Sequence, residues 1–230
     1  MVAVTFADSK FFKSLWLVIV NPGFLSREFT EGRTVKYLRP LSLFFVLNLI
    51  YFLFPTIQLF NASLRTQLNA FHGILAVSTV AKKMNAIGIH DINAFALIYD
   101  QKSTSLAKMM VIAFAVIASL PLNLIYRSPS RYFTDHVGLA VELVCFNLLI
   151  NALVLTLVVS VFGLGAHLDE LILTGIFITT NLYFLIRSGR TFYEEKILPL
   201  IFKSMIMILV LKVSLELYRL ILFYLTIWAL

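Results

Sequence analysis

Of the 230 residues, 60% are hydrophobic and only 13% are charged, against roughly 45–50% apolar and about 25% charged in soluble domains, so no water-soluble core of this size hides the apolar surface. The formal charge of +7 rests on 19 Lys and Arg against 12 Asp and Glu. These cations gather at the ends of apolar blocks and not in one patch, which fits membrane topology and counts against a nucleic-acid partner.

Apolar blocks near the length of about 20 residues that a helix needs to cross about 30 Å of hydrocarbon recur along the chain. The expected fold is all-α, a polytopic transmembrane helix bundle of about five spans preceded by an N-terminal interfacial amphipathic helix. Residues 1–40 form the cytoplasmic or interfacial N-terminal segment. Within it Phe6 to Val20 carries Asp8, Lys10, Lys13 and Ser14 early and an apolar run late, too short to cross. Its acidic residue and mid-segment lysines do not match a signal peptide, so the N-terminus is expected to be retained.

Residues 41–230 read as the transmembrane domain, with spans at about 41–60, 106–126, 139–162, 168–186 and 199–230. Pro55 and Pro121 fall inside two of them and predict kinks or early ends. The 61–105 stretch holds Arg65, Lys82, Lys83, His90, Asp91 and Asp100 among apolar runs too short to span, and reads as an extracytoplasmic loop. With the N-terminus inside, eleven Lys and Arg face the cytoplasm and four (Arg65, Lys82, Lys83 and Lys102) face the other side, which favours N-in, C-out.

The block Asn21 to Pro40, NPGFLSREFTEGRTVKYLRP, runs directly into the apolar LSLFFVLNLIYFLF. Through Pro22-Gly23-Phe24, Arg27-Glu28, Glu31-Gly32-Arg33 and Tyr37-Leu38-x-Pro40 it resembles the signature of a bacterial family of multi-spanning membrane proteins of unknown function. Weaker echoes are Arg131-Tyr132-Phe133 with Asp135-His136, and Tyr183, Arg187 and Tyr193. The resemblance implies a bacterial inner (cytoplasmic) membrane protein and supplies no activity. Many members begin with a zinc ribbon of two CxxC pairs, which a chain with one cysteine, Cys145, does not have. Members also carry histidines where this chain has Glu142 and Val144, so no shared metal site is carried over.

Candidate functional residues fall into two groups. Arg27, Arg33, Lys36 and Arg39, with Arg187 and Arg190 after the fourth span, are candidates for contact with anionic headgroups, which attract nearby cations by about 1 kcal/mol each; ordinary positive-inside flanking is the plainer explanation. Asn147, Asn151 and Asn181 lie inside expected spans, as do Lys212, Glu216 and Arg219, which share one face of the last helix. Amides there serve as helix glue or line a polar path, and unpaired charges at mid-membrane cost about 2.5–3.5 kcal/mol each, so the three are expected to face the bundle interior as a paired cluster.

The histidines His72, His90, His136 and His167 show no HExxH spacing, and no GxSxG, Walker or dinucleotide motif occurs. No catalytic, cofactor-binding or metal residue is assigned. The favoured reading is a non-enzymatic scaffold or accessory protein contacting membrane lipid or a partner, a second copy of the chain included. The alternative is a small transporter or lipid-handling protein using the intramembrane polar residues, and a smaller share goes to an enzyme without a recognisable motif.

Overall fold

A computed structural model describes all residues except 1, 34, 55, 56, 58, 70–72, 129 and 164–169. The fold is an all-helical membrane bundle. Its elements are α1 (Val2–Val20), α2 (Phe24–Thr30), α3 (Pro40–Leu53), α4 (Leu64–Asn69), α5 (Gly73–Ile87), α6 (Ile92–Ile125), α7 (Phe133–Asn147), a π-helical segment (Leu148–Val154), α8 (Leu155–Phe162), α9 (Glu170–Phe192) and α10 (Ile197–Ala229). Four helical runs among the described residues are long and apolar enough to cross a membrane: Ile92–Ile125, Phe133–Phe162, Ile172–Phe192 and Ile197–Ala229. They contain or overlap the last four expected spans. Among the described residues, the first expected span, 41–60, is helical through α3, whose 14 residues run from Pro40 to Leu53, about 21 Å at 1.5 Å per residue, and Phe54 leaves the helix in an extended conformation.

The chain forms two compact units, Met1–Ile57 with Ile112–Ser214, and Gln58–Val111 with Leu215–Leu230. In the first, α7 is the central element. Leu139 to Leu148 are buried without interruption, the mark of a helix enclosed on every side. Leu43, Phe44, Leu47 and Tyr51 form the buried face of α3, at helical spacing, and α3 packs chiefly on α7.

The 61–105 stretch, expected as an extracytoplasmic loop, is largely helical and contains α4, α5 and the start of α6. Its apolar runs are too short to cross a membrane but recur at the spacing of a half-buried helix. Ala76 and Val80 of α5 point inward, four residues apart, and join Leu64, Phe95, Tyr99, Phe223 and Ile227 in a local core.

Candidate functional site

The signature block folds around two backbone devices. Pro22 and Gly23 end α1 and start α2, Gly23 with φ 83°. A Cβ on Gly23 would stand 2.9 Å from both Cα and Cβ of Ser188, so both the left-handed backbone and the close approach of α9 demand glycine. At the other end of α2, Gly32 (φ 78°) donates to the Phe29 carbonyl at 3.1 Å and Arg33 N–H donates to the Glu28 carbonyl at 2.8 Å. This pair of bonds is a Schellman motif, and it accounts for the Glu31-Gly32-Arg33 spelling.

The first turn of α2 is held from outside. Glu142 of α7 is fully buried, and its carboxylate accepts hydrogen bonds from Gly23 N–H (2.8 Å), Ser26 N–H (2.8 Å) and the Ser26 hydroxyl (2.5 Å). A residue more than a hundred positions away thus supplies the N-cap that the local sequence lacks. On α9, Tyr183 donates to the Ile19 carbonyl (2.8 Å) and Arg187 to the Val20 carbonyl (3.2 Å), satisfying the last carbonyls of α1 with a hydroxyl and a cation. Thr191 donates to the Asn21 side chain at 2.9 Å. Ser14 of α1 accepts from Leu38 N–H at 2.9 Å, so the stretch before α3 runs beside α1.

Ion pairs ring the exposed side of the block. Arg27 binds Glu31 through Nε (2.8 Å) and Glu194 through Nη2 (2.8 Å), and Nη1 donates to the Thr191 carbonyl at 3.2 Å. Arg33 pairs with Glu28 at 2.6 Å and also with Glu31. The Arg27 hydrogen bond, followed by the charge of Arg33, holds the Glu31 carboxyl below its usual range against the opposing effect of burial. Lys36 and Arg39 are exposed, Arg39 with its guanidinium 5.7 Å from the centre of the Phe29 ring. The exposed side chains of Phe12 and Trp16 on α1, Phe29 on α2 and Val35 accompany them.

The connector between α9 and α10 joins this block to three helices in three consecutive residues. Tyr193 bonds to His136 of α7 (2.6 Å to Nδ1) and stacks on Tyr126 at the end of α6 (4.9 Å, 7° between planes). Glu194, with φ 56°, reaches Arg27, and Glu195 pairs with Lys203 of α10. Arg131 donates to the Phe192 carbonyl at 3.0 Å and covers its ring at 4.5 Å. Of the residues that carry the weaker family echo, Arg131, His136, Tyr183, Arg187 and Tyr193 hold the signature block or the connector beside it, whereas Tyr132, Phe133 and Asp135 form the start of α7.

The intramembrane candidates separate into two places. Asn147, Asn151 and Asn181 come together in the first unit, where Asn147 and Asn181 exchange amide bonds at 2.9 and 3.0 Å, Asn151 donates to Asn147 at 2.8 Å, and Thr180 donates to Asn151 at 3.1 Å. The π-helical segment that carries Asn151 sets this register. Glu216 and Arg219 pair in the second unit at 3.1 Å, with the Arg219 side chain 18% exposed and that of Glu216 44% exposed. Arg219 also donates to the Leu59 carbonyl at 3.0 Å. Lys212 is exposed, and Arg187 and Arg190 are exposed at the end of α9. The three asparagines lie in the first unit and Glu216 and Arg219 in the second, and Arg219 Nε is buried without a hydrogen-bond partner.

Local sequence does not disclose the central place of Glu142. Its one signal was an acidic residue in the middle of an otherwise apolar block, a position that requires a partner. Among the described residues no three His, Cys, Asp or Glu side chains come together in a metal-ligating group, and His72 and His167 lie outside those residues. The profile of a family described as a protein of unknown function (DUF3667) matches residues 8–52, the stretch that runs from α1 through the Glu142-capped block into α3. No curated protein and no solved structure matches the chain.

Proposed function

We propose that this multi-pass membrane protein is a non-enzymatic scaffold or accessory protein whose signature face contacts anionic lipid. We further infer that it sits in a bacterial inner membrane with the N-terminus cytoplasmic, as a member of the family that its signature resembles. The division of labour among the cations carries this reading. Arg27 and Arg33 are occupied by Glu28, Glu31 and Glu194, and so serve the shape of the block. Lys13, Lys36 and Arg39 stay exposed beside Phe12, Trp16 and Val35, the mixture of cations and aromatic or apolar side chains that suits a headgroup layer.

The transporter alternative draws on the asparagine ladder and its π-helical segment, since such segments recur at functional sites. Against a continuous polar path along this seam, Ala140, Val144 and Phe184 are fully buried between the His136–Tyr193 bond and the Asn147–Asn181 pair. The ladder's amides are also saturated by one another, as helix-joining amides are.

Native mass spectrometry of the detergent-solubilised protein tests the proposal. Phosphatidylglycerol should be retained in preference to phosphatidylcholine. Lys36→Gln with Arg39→Gln should weaken that retention about 30-fold, from about 1 kcal/mol per cation. Equal retention of both lipids by the wild type refutes the reading. For orientation, Cys145 is fully buried and stays silent, so single cysteines at the exposed Ser130 and Asn93 report directly. Asn93→Cys should react with an impermeant thiol reagent in intact cells and Ser130→Cys only after permeabilisation; the reverse pattern inverts the topology.

A further inference from the structure

The signature block encloses a shallow cleft of about 170 Å³ between Leu25, Glu28 and Phe29 of α2 and Arg33, Tyr37 and Arg39 of the stretch that leads into α3. Sites that enclose a whole small molecule run to about 300–1,000 Å³. This cleft takes a fragment the size of a phosphate group, and the rest of its ligand lies outside.

Its donors are partly uncommitted. Arg33 gives Nε and Nη2 to Glu28, and Nη2 also meets Glu31, which leaves Nη1 without a partner among the described residues. Arg39 has no carboxylate partner among them; its guanidinium rests 5.7 Å from the centre of the Phe29 ring. The Tyr37 ring packs edge-on against Phe24 at 5.5 Å, and its hydroxyl has no hydrogen bond among the described residues. Glu28 and Glu31 offset Arg33, so Arg39 supplies the uncompensated charge. Guanidinium forks and a hydroxyl are the donors that match phosphate oxygens.

Both walls of the cleft are pinned to one level of α7. The first turn of α2 is held at Glu142, and the stretch before α3 ends where the Cys145 thiol donates to the Pro40 carbonyl at 3.6 Å, about 4.5 Å further along the helix. From Leu143 to Phe162 the same helical run carries no Asp, Glu, Lys or Arg. That length is about 30 Å, the thickness of the hydrocarbon core. The Glu142 turn therefore stands at the hydrocarbon boundary, and the cleft stands where lipid phosphates lie.

Two residues past Arg39 an apolar track begins. Leu41, Phe45, Leu49 and Leu53 of α3 are exposed at steps of four, opposite the buried face of Leu43, Leu47 and Tyr51. From Leu41 to Leu53 the track runs about 18 Å, close to the roughly 15 Å of one leaflet, half the hydrocarbon core. A cationic cleft at phosphate level followed by a leaflet-long apolar track has the outline of one phospholipid, and this continuity identifies a membrane lipid as the occupant. We propose that the signature block binds one anionic phospholipid, its phosphate between Arg33, Tyr37 and Arg39 and one acyl chain along Leu41, Phe45 and Leu49. The inference rests on the anionic-lipid reading and narrows it from a charged face to a single seat.

In native mass spectrometry of the full chain in detergent, phosphatidylglycerol added stepwise should saturate at one retained lipid per chain. Arg39→Gln should weaken that retention about tenfold, Tyr37→Phe about threefold, and Phe45→Ala with Leu49→Ala about threefold. Lys13→Gln removes an exposed cation outside the cleft and should change it by no more than about twofold. These side chains are exposed or half-buried, and Tyr37→Phe keeps the ring against Phe24, so the variants keep the fold. Several lipids of equal affinity, or equal losses from Arg39→Gln and Lys13→Gln with none from Tyr37→Phe, mean a charged face without a seat. Either result overturns the proposal while the anionic-lipid reading stands. Equal retention of phosphatidylglycerol and phosphatidylcholine by the wild type removes both. Displacement of the lipid by millimolar glycerol 3-phosphate means that the cleft takes a soluble phosphate, and overturns a lipid as its occupant.

Discussion

Glu142 and Glu31 both hold the signature block, and they do so in opposite surroundings. Glu142 reaches α2 from a central helix, fully buried, and accepts from two backbone N–H groups and a hydroxyl. Glu31 lies on the block itself, 28% exposed, and accepts from Arg27 and Arg33. A buried carboxylate and its donors have no water to fall back on, so removal of either side leaves polar groups stranded. An exposed ion pair exchanges partners with solvent and contributes about 0–1 kcal/mol. The buried bond therefore sets where α2 sits, while the exposed pairs shape the surface it presents.

The largest effect should follow from emptying the buried side. Glu142→Ala leaves the Gly23 and Ser26 donors without an acceptor and should destabilise the protein by roughly 3–5 kcal/mol, measured as thermal unfolding in detergent. Glu142→Gln, with one amide N–H₂ turned toward donors, should fall between the two. A melting curve for Glu142→Ala like that of the wild type would remove Glu142 from its central role. Next comes Gly23→Ala, where left-handed backbone and a Cβ set 2.9 Å from Ser188 together cost roughly 2–5 kcal/mol. Ser188→Gly in the same chain should recover only part of the steric cost, because the Cα at position 188 still stands 2.9 Å from the new Cβ and the φ of 83° still disfavours alanine.

A smaller loss is expected in the asparagine ladder. Asn181→Leu removes the exchange with Asn147 but leaves Asn147 bonded to Asn151 and to the Leu143 carbonyl, so about 0.6 kcal/mol and at most about 1.7 should be lost. A polar path for solute would show the other pattern, loss of transport in reconstituted vesicles with unfolding unchanged.

The asymmetry between Glu142 and Glu31 also explains what the sequence discloses. Long apolar blocks must enter lipid as helices, so α6, the α7–α8 run, α9 and α10 are legible from hydropathy alone. The Gly23 and Gly32 punctuation of α2 is legible in the same way, because only glycine fits those turns freely. The bond from Glu142 to Gly23 spans 119 positions, and no local pattern encodes a partner at that separation. The 61–105 stretch misleads for a different reason. Its charges dilute hydropathy below the spanning threshold, while Ala76 and Val80 keep the spacing that makes a helix. The end of α3 at Leu53 is concealed by Phe54, which continues the hydropathy of a span although its backbone is already extended.

The smallest expected effect is the most specific to the exposed side. Hydrogen bonding from Arg27 is the largest cause of the lowered Glu31 pKa, so the carboxylate is more stable in the folded block than in the unfolded chain. A depressed carboxylate contributes stability above its unfolded value, about 4.3 for glutamate, and loses it as pH falls through the lower folded value. Arg27 and Arg33 are shifted upward, each first by the bond to its own glutamate, so their contributions persist below about pH 12 and only the acid side is observable. The difference in melting temperature between the wild type and Glu31→Gln should therefore be constant above about pH 5 and shrink toward zero below about pH 4. At 1 M salt it should shrink at neutral pH too, because the screening length falls to about 3 Å. Glu142→Gln should not respond to salt in the same way, since its carboxylate is fully buried. A Glu31→Gln difference that survives at pH 3 and in high salt would mean that Glu31 acts through packing, and the contrast between the two carboxylates would then be one of position alone.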